Sequence, residues 1–211
     1  MKKKEKTKIT RERIIAAAVK EFGSNSYEGA SINRICEEGN ISKGLVYHNF
    51  SGKDDLYLTC LKESYDGLIK ALEEEPPEIT DPKEALGKFL IVRERYFREN
   101  PYYANIFFNS ILQPPKNLKK EIEEERKGLN GYFSRFYLSL LDTLELRKGI
   151  TKEEALEYFF AAGEMFNGYF QKKADETGDY RSLIEDHEEK LSSIFDIILY
   201  GVAKDPEAQR I

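Results

Sequence analysis

Apolar residues recur at spacings of three and four along nearly all of this 211-residue chain, and no stretch of strict alternation lasts long enough to argue for a strand. That spacing lines up side chains on one face of a 3.6-residue helix, so the pattern commits the chain to an all-α fold. Local punctuation then divides it. Thr10 is placed to cap a first helix running to Phe22, with Ile14, Ile15, Ala18, Val19 and Phe22 inward and Gly23 as its stop. Ser31 caps a short helix carrying Ile32, Ile35 and Cys36, which ends at Gly39-Asn40, two residues that tolerate the left-handed conformation of a tight turn. Ser42 caps a second short helix from Lys43 to Asn49. A long helix opens at Lys53 and stops near Glu74, before Pro76-Pro77. Asp81-Pro82 starts a helix that reaches Asn100. Pro101 opens an aromatic one to Leu112, closed by Pro114-Pro115, and a long helix is expected over 116–146. Thr151 and Glu154 form a capping box for a helix to Lys173. After a turn at Thr177-Gly178-Asp179, a last helix runs from Ser182 to Gly201, making about nine in all.

Composition narrows the functional classes. Hydrophobic residues make up 40% of the chain and aromatic residues 12%, enough for a packed core rather than disorder. No apolar run approaches the ~18 residues needed to span a bilayer. The basic start MKKKEKTKIT has no apolar segment behind it, so a secretory signal is not expected and the cytoplasm is the expected compartment. Cys36 and Cys60 stand far apart, and two Cys with two His in no ligand spacing argue against a disulfide framework, a metal site or a cofactor site. No nucleophile–base pair or phosphate-binding glycine loop appears, so an enzyme is not expected. The net charge of −5 hides an asymmetry: residues 1–53 hold 11 Lys+Arg against 6 Asp+Glu, and the remainder 22 against 32. One end is suited to a polyanion and the rest is not, unless the lysines are simply a solvated tail. Lys2, Lys3, Lys4 and Lys6 are expected to form a disordered arm near phosphate, adding salt-sensitive affinity.

The segment from Ser31 to Phe50 has the layout of a helix-turn-helix, although two short capped helices also occur as plain structure. Ile41 is the apolar turn residue that pins the pair. The second helix of such a motif meets bases with its N-terminal end, which must offer small or flexible side chains. Here that end offers Lys43, for a guanine edge or a phosphate, Gly44, without bulk, and Leu45, for a thymine methyl. Tyr47 and His48 suit phosphate contacts from the flank, and Lys53 at a helix start makes a second anion site.

The residues Phe22-Gly23, Tyr27-Glu28-Gly29, Ser31-Ile32-Asn33-Arg34-Ile35, the run Ile41 to Phe50, and Ser51-Gly52-Lys53-Asp54-Asp55-Leu56 resemble the N-terminal domain of TetR-type transcriptional repressors. The resemblance covers roughly residues 9 to 60, and Ser-Lys-Gly-x-x-Tyr-x-x-Phe followed by Lys-x-x-Leu is its most specific part. It implies phosphate contacts for Ser31, Tyr47 and Lys53, and base-proximal roles for Asn33, Lys43, Gly44 and Leu45. This chain departs from the family pattern in three places. The usual Ala-Gly-Val of the turn is Gly39-Asn40-Ile41, the usual Thr after Gly44 is Leu45, and Asn49 stands where His or Tyr is common. Asn40 is expected to supply the positive φ that glycine normally provides.

The acidic remainder reads as a pocket and a dimer seam. On a helical wheel the helix from Thr151 to Lys173 has an apolar arc of about 220°, wider than the ~100–140° that one core covers. It includes Tyr158, Ala162, Met165, Phe166, Tyr169 and Phe170. A second subunit is the simplest cover for the surplus, with Leu183, Leu191, Ile194, Phe195 and Ile198 of the last helix beside it. The alternative is two helices wrapped within one chain. Arg93 falls in the middle of an apolar arc and must have a partner, whether an acidic or polar effector, an internal Asp or Glu, or solvent reached by snorkelling. Tyr96, Tyr103, Phe107, Phe133, Tyr137, Asn167 and Phe170 are further candidates to line an effector cavity. His187 reads as a packing histidine.

The expectation is therefore an all-α homodimer, joined through the last two helices. Residues 1–52 form a helix-turn-helix DNA-binding domain, and 53–211 an effector-binding and dimerisation domain. It binds a palindromic double-stranded operator as a ligand-responsive regulator, a repressor on the resemblance, and has no membrane span. The alternative is a helical ligand sensor or adaptor without specific DNA binding.

Overall fold

In a computed structural model, the backbone is described for residues 3–177 and 180–202, and side chains for 7–176 and 182–202. The described residues form nine helices and no sheet: α1 Lys3–Ser24, α2 Ile32–Gly39, α3 Lys43–Asn49, α4 Lys53–Glu74, α5 Pro82–Glu99, α6 Pro101–Leu112, α7 Lys119–Leu141, α8 Lys152–Thr177 and α9 Tyr180–Val202. They gather into two compact units, one of residues up to 68 with 97–128, the other of residues 69–96 with those from 129 onward.

In the first unit α1 packs against α2, α3 and α6. Its periodic apolar face, Ile14, Ala18 and Phe22, is buried together with Ile35, Val46, Leu56, Leu61, Tyr65, Ile106 and Phe108. The core of the second unit joins Ala85, Tyr137, Leu140, Leu141, Ala155, Phe159, Ile198, Leu199 and Val202. There α8 packs along α9, and the chain after α7 returns to α9 through the Arg147 N–H, which donates to the Val202 carbonyl at 3.0 Å.

The local stop and start signals act as their chemistry requires at most joints. Ser31 Oγ accepts from the Asn33 N–H and Ser42 Oγ from the Leu45 N–H. Asp81 Oδ1 accepts from the N–H groups of Lys83 (2.7 Å) and Glu84 (3.0 Å). The Thr151–Glu154 capping box closes in both directions, at 2.9 and 3.2 Å.

Several boundaries fall elsewhere. Thr10 lies inside α1, which already begins at Lys3, because nothing between Lys3 and Thr10 opposes a helix and a capping residue does not force one to start. The backbone of Lys3, Lys4 and Lys6 is therefore helical rather than a disordered arm, while Lys2 lies outside the described residues. Gly23 does not stop α1, which runs on to Ser24. It faces the start of α6, where a Cβ would stand 2.6 Å from the Tyr102 Cα, so the residue is small because two helices meet there. The helix expected over 116–146 is shorter, ending at Leu141 with i→i+3 bonds from Thr143 to Leu140 (3.1 Å) and from Leu144 to Leu141 (3.2 Å). α8 extends beyond Lys173 to Thr177, and the expected turn at Gly178-Asp179 lies outside the described residues.

Candidate nucleic-acid interface and ligand crevice

The tight turn between α2 and α3 depends on Asn40, the one non-glycine residue with positive φ among those described, at φ 48° and ψ 52°. Its N–H and that of Ile41 fold back on the carbonyls of Glu37 (3.2 Å) and Cys36 (2.9 Å), closing the end of α2. Arg13 of α1 reinforces this by donating to the Gly39 carbonyl at 3.1 Å. Ile41 is buried beneath the turn, so the angle between the two helices is held by one apolar side chain and one left-handed residue.

α3 is seven residues long and buries only Val46. Lys43, Gly44, Leu45, Tyr47 and His48 all face solvent, with Leu45 at 45% and Tyr47 at 56% exposure. Solvating a leucine and a tyrosine on so short a helix is unfavourable by itself and leaves an amphipathic surface for a partner. Nothing lies within 4 Å of where a Gly44 Cβ would be, so that glycine meets no steric demand within the chain. Asn33 is exposed on α2; Ser31 is half-buried, its hydroxyl oxygen capping α2. Lys53 is half-buried, its ammonium 4.4 Å above the Tyr27 ring at the start of α4. Asn49 turns back on its own helix and donates to the Leu45 carbonyl at 2.8 Å.

Glu21 anchors this motif to α1. It is buried, and it accepts the Ser31 N–H at 2.8 Å and the Arg34 Nε–H at 2.7 Å. A charge buried with two charge-assisted donors is stable only as a complete set. Nothing in the sequence spacing of Glu21 marks it, because a glutamate flanking an apolar face reads as solvated until the chain returns to meet it.

The candidate effector residues fall in separate places. Phe133 and Tyr137 line a crevice in the second unit with Leu86, Phe89, Phe136, Leu140, Phe159, Phe195 and Leu199. Its rings are in mutual contact, Phe89 stacked on Phe136 at 4.9 Å and Tyr137 on Phe159 at 4.3 Å. They leave a volume of about 10 Å³, near the minimum one water needs. The Tyr137 hydroxyl is buried without a hydrogen-bond partner among the described residues, and burial pushes its pKa up to about 12.

Arg93, Asn167 and Phe170 belong to a second cluster in the same unit. Arg93, 4% exposed, forms an ion pair with Glu188 of α9. Burial lowers the guanidinium pKa to about 9, which leaves it charged at neutral pH. His187 stands between, with Nδ1 3.1 Å from Glu188 Oε1 and Nε2 3.0 Å from the Asn167 side chain. Phe166 and Phe170 pack on its ring at 4.7 and 5.0 Å. Burial, aided by the Arg93 charge, pulls its pKa down to about 3, so the ring is neutral. A neutral imidazole has one N–H. It can serve only one of the two oxygens that face the ring, Glu188 Oε1 at Nδ1 or Asn167 Oδ1 at Nε2.

Tyr103 and Phe107 lie in the first unit. The Tyr103 hydroxyl donates to Glu63 Oε2 at 2.8 Å, and Phe107 packs edge-on against Tyr65 at 5.6 Å. Tyr96 is half-buried on α5. Among the described residues no group of three or more His, Cys, Asp or Glu could hold a metal ion, and no helix is long and apolar enough to cross a membrane.

Residues 14–60 match the family model described as bacterial regulatory proteins, tetR family. The chain carries a TetR-family head. Over longer spans it is 26% identical to the fatty acid metabolism regulator protein of Bacillus subtilis (strain 168) across 144 residues, 68% of this chain and 70% of that one. It is 23% identical over 192 residues to IcaR of Staphylococcus aureus (strain Newman), the negative transcriptional regulator of the biofilm operon icaADBC, covering 88% of this chain and 98% of that one. The solved structure of the transcriptional regulator FadR from Bacillus subtilis in complex with stearoyl-CoA matches with a TM-score of 0.65 and 19% identity over 91% of this chain and 99% of that one. A putative tetR family regulator from Shewanella sp. PV-4 matches at 0.61 and 15%, over 93% and 99%. At these identities the solved structures establish a common fold.

Within the TetR-family head, Asn40 takes up the left-handed φ and the turn closes with its full set of bonds. Leu45 occupies its position as an exposed apolar group rather than a hydroxyl, which limits that position to van der Waals contacts.

Proposed function

We propose that the chain is a ligand-responsive transcriptional regulator that binds a palindromic double-stranded operator as a homodimer and is released by a small-molecule effector. The functional division falls between residues 1–52, which bind DNA, and 53–211, which bind the effector and the second subunit. The observation that carries the reading is α3 itself, which buries Val46 and offers every other assigned side chain outward. Lys43, Gly44 and Leu45 meet base edges in the major groove, Asn33 supports them from α2, and Ser31, Tyr47, His48 and Lys53 take phosphates. Two such heads read half-sites one helical turn apart, ~34 Å.

Support for the dimer comes from α8 and α9. Tyr158, Met165 and Tyr169 are exposed at 52%, 73% and 54%, and Ile197 and Tyr200 at 67% and 47%. That much apolar surface on two adjacent helices suits a second copy making a four-helix seam. For the effector, the Phe133–Tyr137 crevice is the favoured site and the Arg93–Asn167–Phe170 cluster the second, with Tyr96, Tyr103 and Phe107 as accessory candidates. The crevice rings must part to admit anything larger than water, so an occupied state differs in packing from an empty one. A shift from 1:99 to 99:1 between DNA-competent and released states requires ~5.5 kcal/mol of differential effector affinity. Movement of α4, which begins at Lys53, conveys the change. The apolar lining suits a long acyl or an aromatic ligand; the FadR structure was solved with stearoyl-CoA. The protein works as a cytoplasmic repressor and has no enzymatic activity.

The test is binding of duplex DNA from upstream of its own gene, followed by fluorescence anisotropy. Lys43→Ala with Tyr47→Phe is expected to lower affinity at least tenfold without changing the melting temperature. Acyl-CoA and aromatic acids, added in separate arms, identify the releasing class. A monomer that holds no duplex even at low salt would overturn the reading, and specific ligand binding without any duplex binding would favour a sensor or adaptor.

A further inference from the structure

A second group of cations lies beside the start of α4, outside the helix-turn-helix. The link from α6 to α7 carries Lys116, and α7 opens with Lys119-Lys120; all three are exposed. Pro115 and Leu118 between them are buried, and the Leu118 N–H donates to the Pro115 carbonyl at 3.0 Å, so the lysines stand on a pinned turn. Asn117, in the middle, reaches back 63 residues to donate to Asp54 Oδ2 at 3.4 Å. Asp54 Oδ1 accepts from the Tyr27 hydroxyl, and the Lys53 ammonium lies 4.4 Å above that same tyrosine ring. Lys53 and the turn that carries the other three lysines therefore meet at one Tyr27–Asp54 pair. Among the described residues no ion pair engages Lys116, Lys119 or Lys120. The opposing charges nearby include Glu28 beside Tyr27, Asp54 and Asp55 at the start of α4, and Glu121, Glu123, Glu124 and Glu125 further along α7.

We infer that Lys116, Lys119 and Lys120 form a second phosphate-contacting ledge for duplex DNA, continuous with Lys53 and lying outside the head. The inference rests on the DNA-binding reading above. If Lys53 touches a phosphate at the edge of the half-site, cations tethered to the neighbouring residue face the backbone just beyond it. Such contacts carry no sequence information; they add affinity that is shared by specific and non-specific duplexes and that falls with salt. The ledge thus sets how far the footprint extends past the bases read by α3.

The experiment compares the full chain with a Lys116→Gln, Lys119→Gln, Lys120→Gln variant on a 40-base-pair duplex of mixed sequence, at several salt concentrations. The variant is expected to bind about 10- to 100-fold more weakly at 50 mM salt. Its log–log salt slope should fall by about 2–3 for each protomer bound, since each phosphate left without its lysine lowers the slope by about 0.9. Arginine at the same three positions should restore both. A wild-type chain that binds while the glutamine variant keeps its slope would overturn the ledge and leave the DNA-binding reading standing. A wild-type chain that retains no duplex at this salt would remove that reading and the ledge with it.

Discussion

The head and the second unit handle polar groups in opposite ways. In the head five of the groups assigned to DNA, Lys43, Gly44, Leu45, Tyr47 and His48, are exposed on a short helix whose own packing needs one valine, while the buried acid Glu21 is engaged in holding that helix's neighbour in place. In the second unit the candidate effector groups are buried or half-buried, and the polar chemistry of one cluster is already engaged: Arg93 with Glu188, His187 with Glu188 and Asn167. A surface that waits for a rigid polyanion can be built from solvated side chains on a fixed frame. A pocket that responds to a small molecule must instead exchange internal contacts for external ones, so its residues look like core until the ligand arrives.

The comparison breaks most readily at Arg93. Arg93→Leu leaves the half-buried Glu188 without its cation and is expected to destabilise the protein by about 3–5 kcal/mol, whereas Arg93→Leu with Glu188→Leu should recover much of that loss. Urea denaturation of the two variants measures the difference; equal losses would mean the pair is solvated.

Acid titration comes next. The His187 pKa is depressed to about 3 by burial and the Arg93 charge, opposed by Asp186, so between pH 6.5 and 3 the unfolded chain takes up a proton that the folded one refuses. Stability from this group is complete above pH 6.5 and falls by up to about 1.4 kcal/mol per pH unit below it. His187→Gln should flatten this part of the melting-temperature profile, and a wild-type curve indistinguishable from it would remove the histidine from the account.

Two glycines sharpen the contrast between packing and recognition within the head. Gly23→Ala drives a methyl into the Tyr102 backbone and should cost about 1–3 kcal/mol. Gly44→Ala meets nothing and should raise stability by about 0.5–1 kcal/mol while weakening DNA binding. Thermal melts and anisotropy on the same samples separate the two. An effect of similar size is expected at Tyr137: Tyr137→Phe removes a buried, unpartnered hydroxyl and should stabilise the ligand-free protein by about 1 kcal/mol. A loss of stability would place a bound water on that hydroxyl.

Much of this was legible in the chain. Helices followed from period, and most of their starts from serine, aspartate or proline at the first turn, because a capping bond is closed within three residues. The exposed face of α3 was legible for the same reason: in a seven-residue helix with one buried position, the rest must face outward. Residue order alone thus dictates the all-helical class, the turn at Asn40 and the identity of the side chains that α3 leaves exposed. Whatever depends on distant segments meeting came from the packed molecule. Packing made Gly23 a contact site rather than a stop, gave Glu21 its donors and Arg93 its acid, and brought Asn117 to Asp54. Local bonds are selected by neighbours a few residues away, which a sequence displays. An interhelical contact depends on which faces the whole chain can bury at once, and no window of residues contains that information.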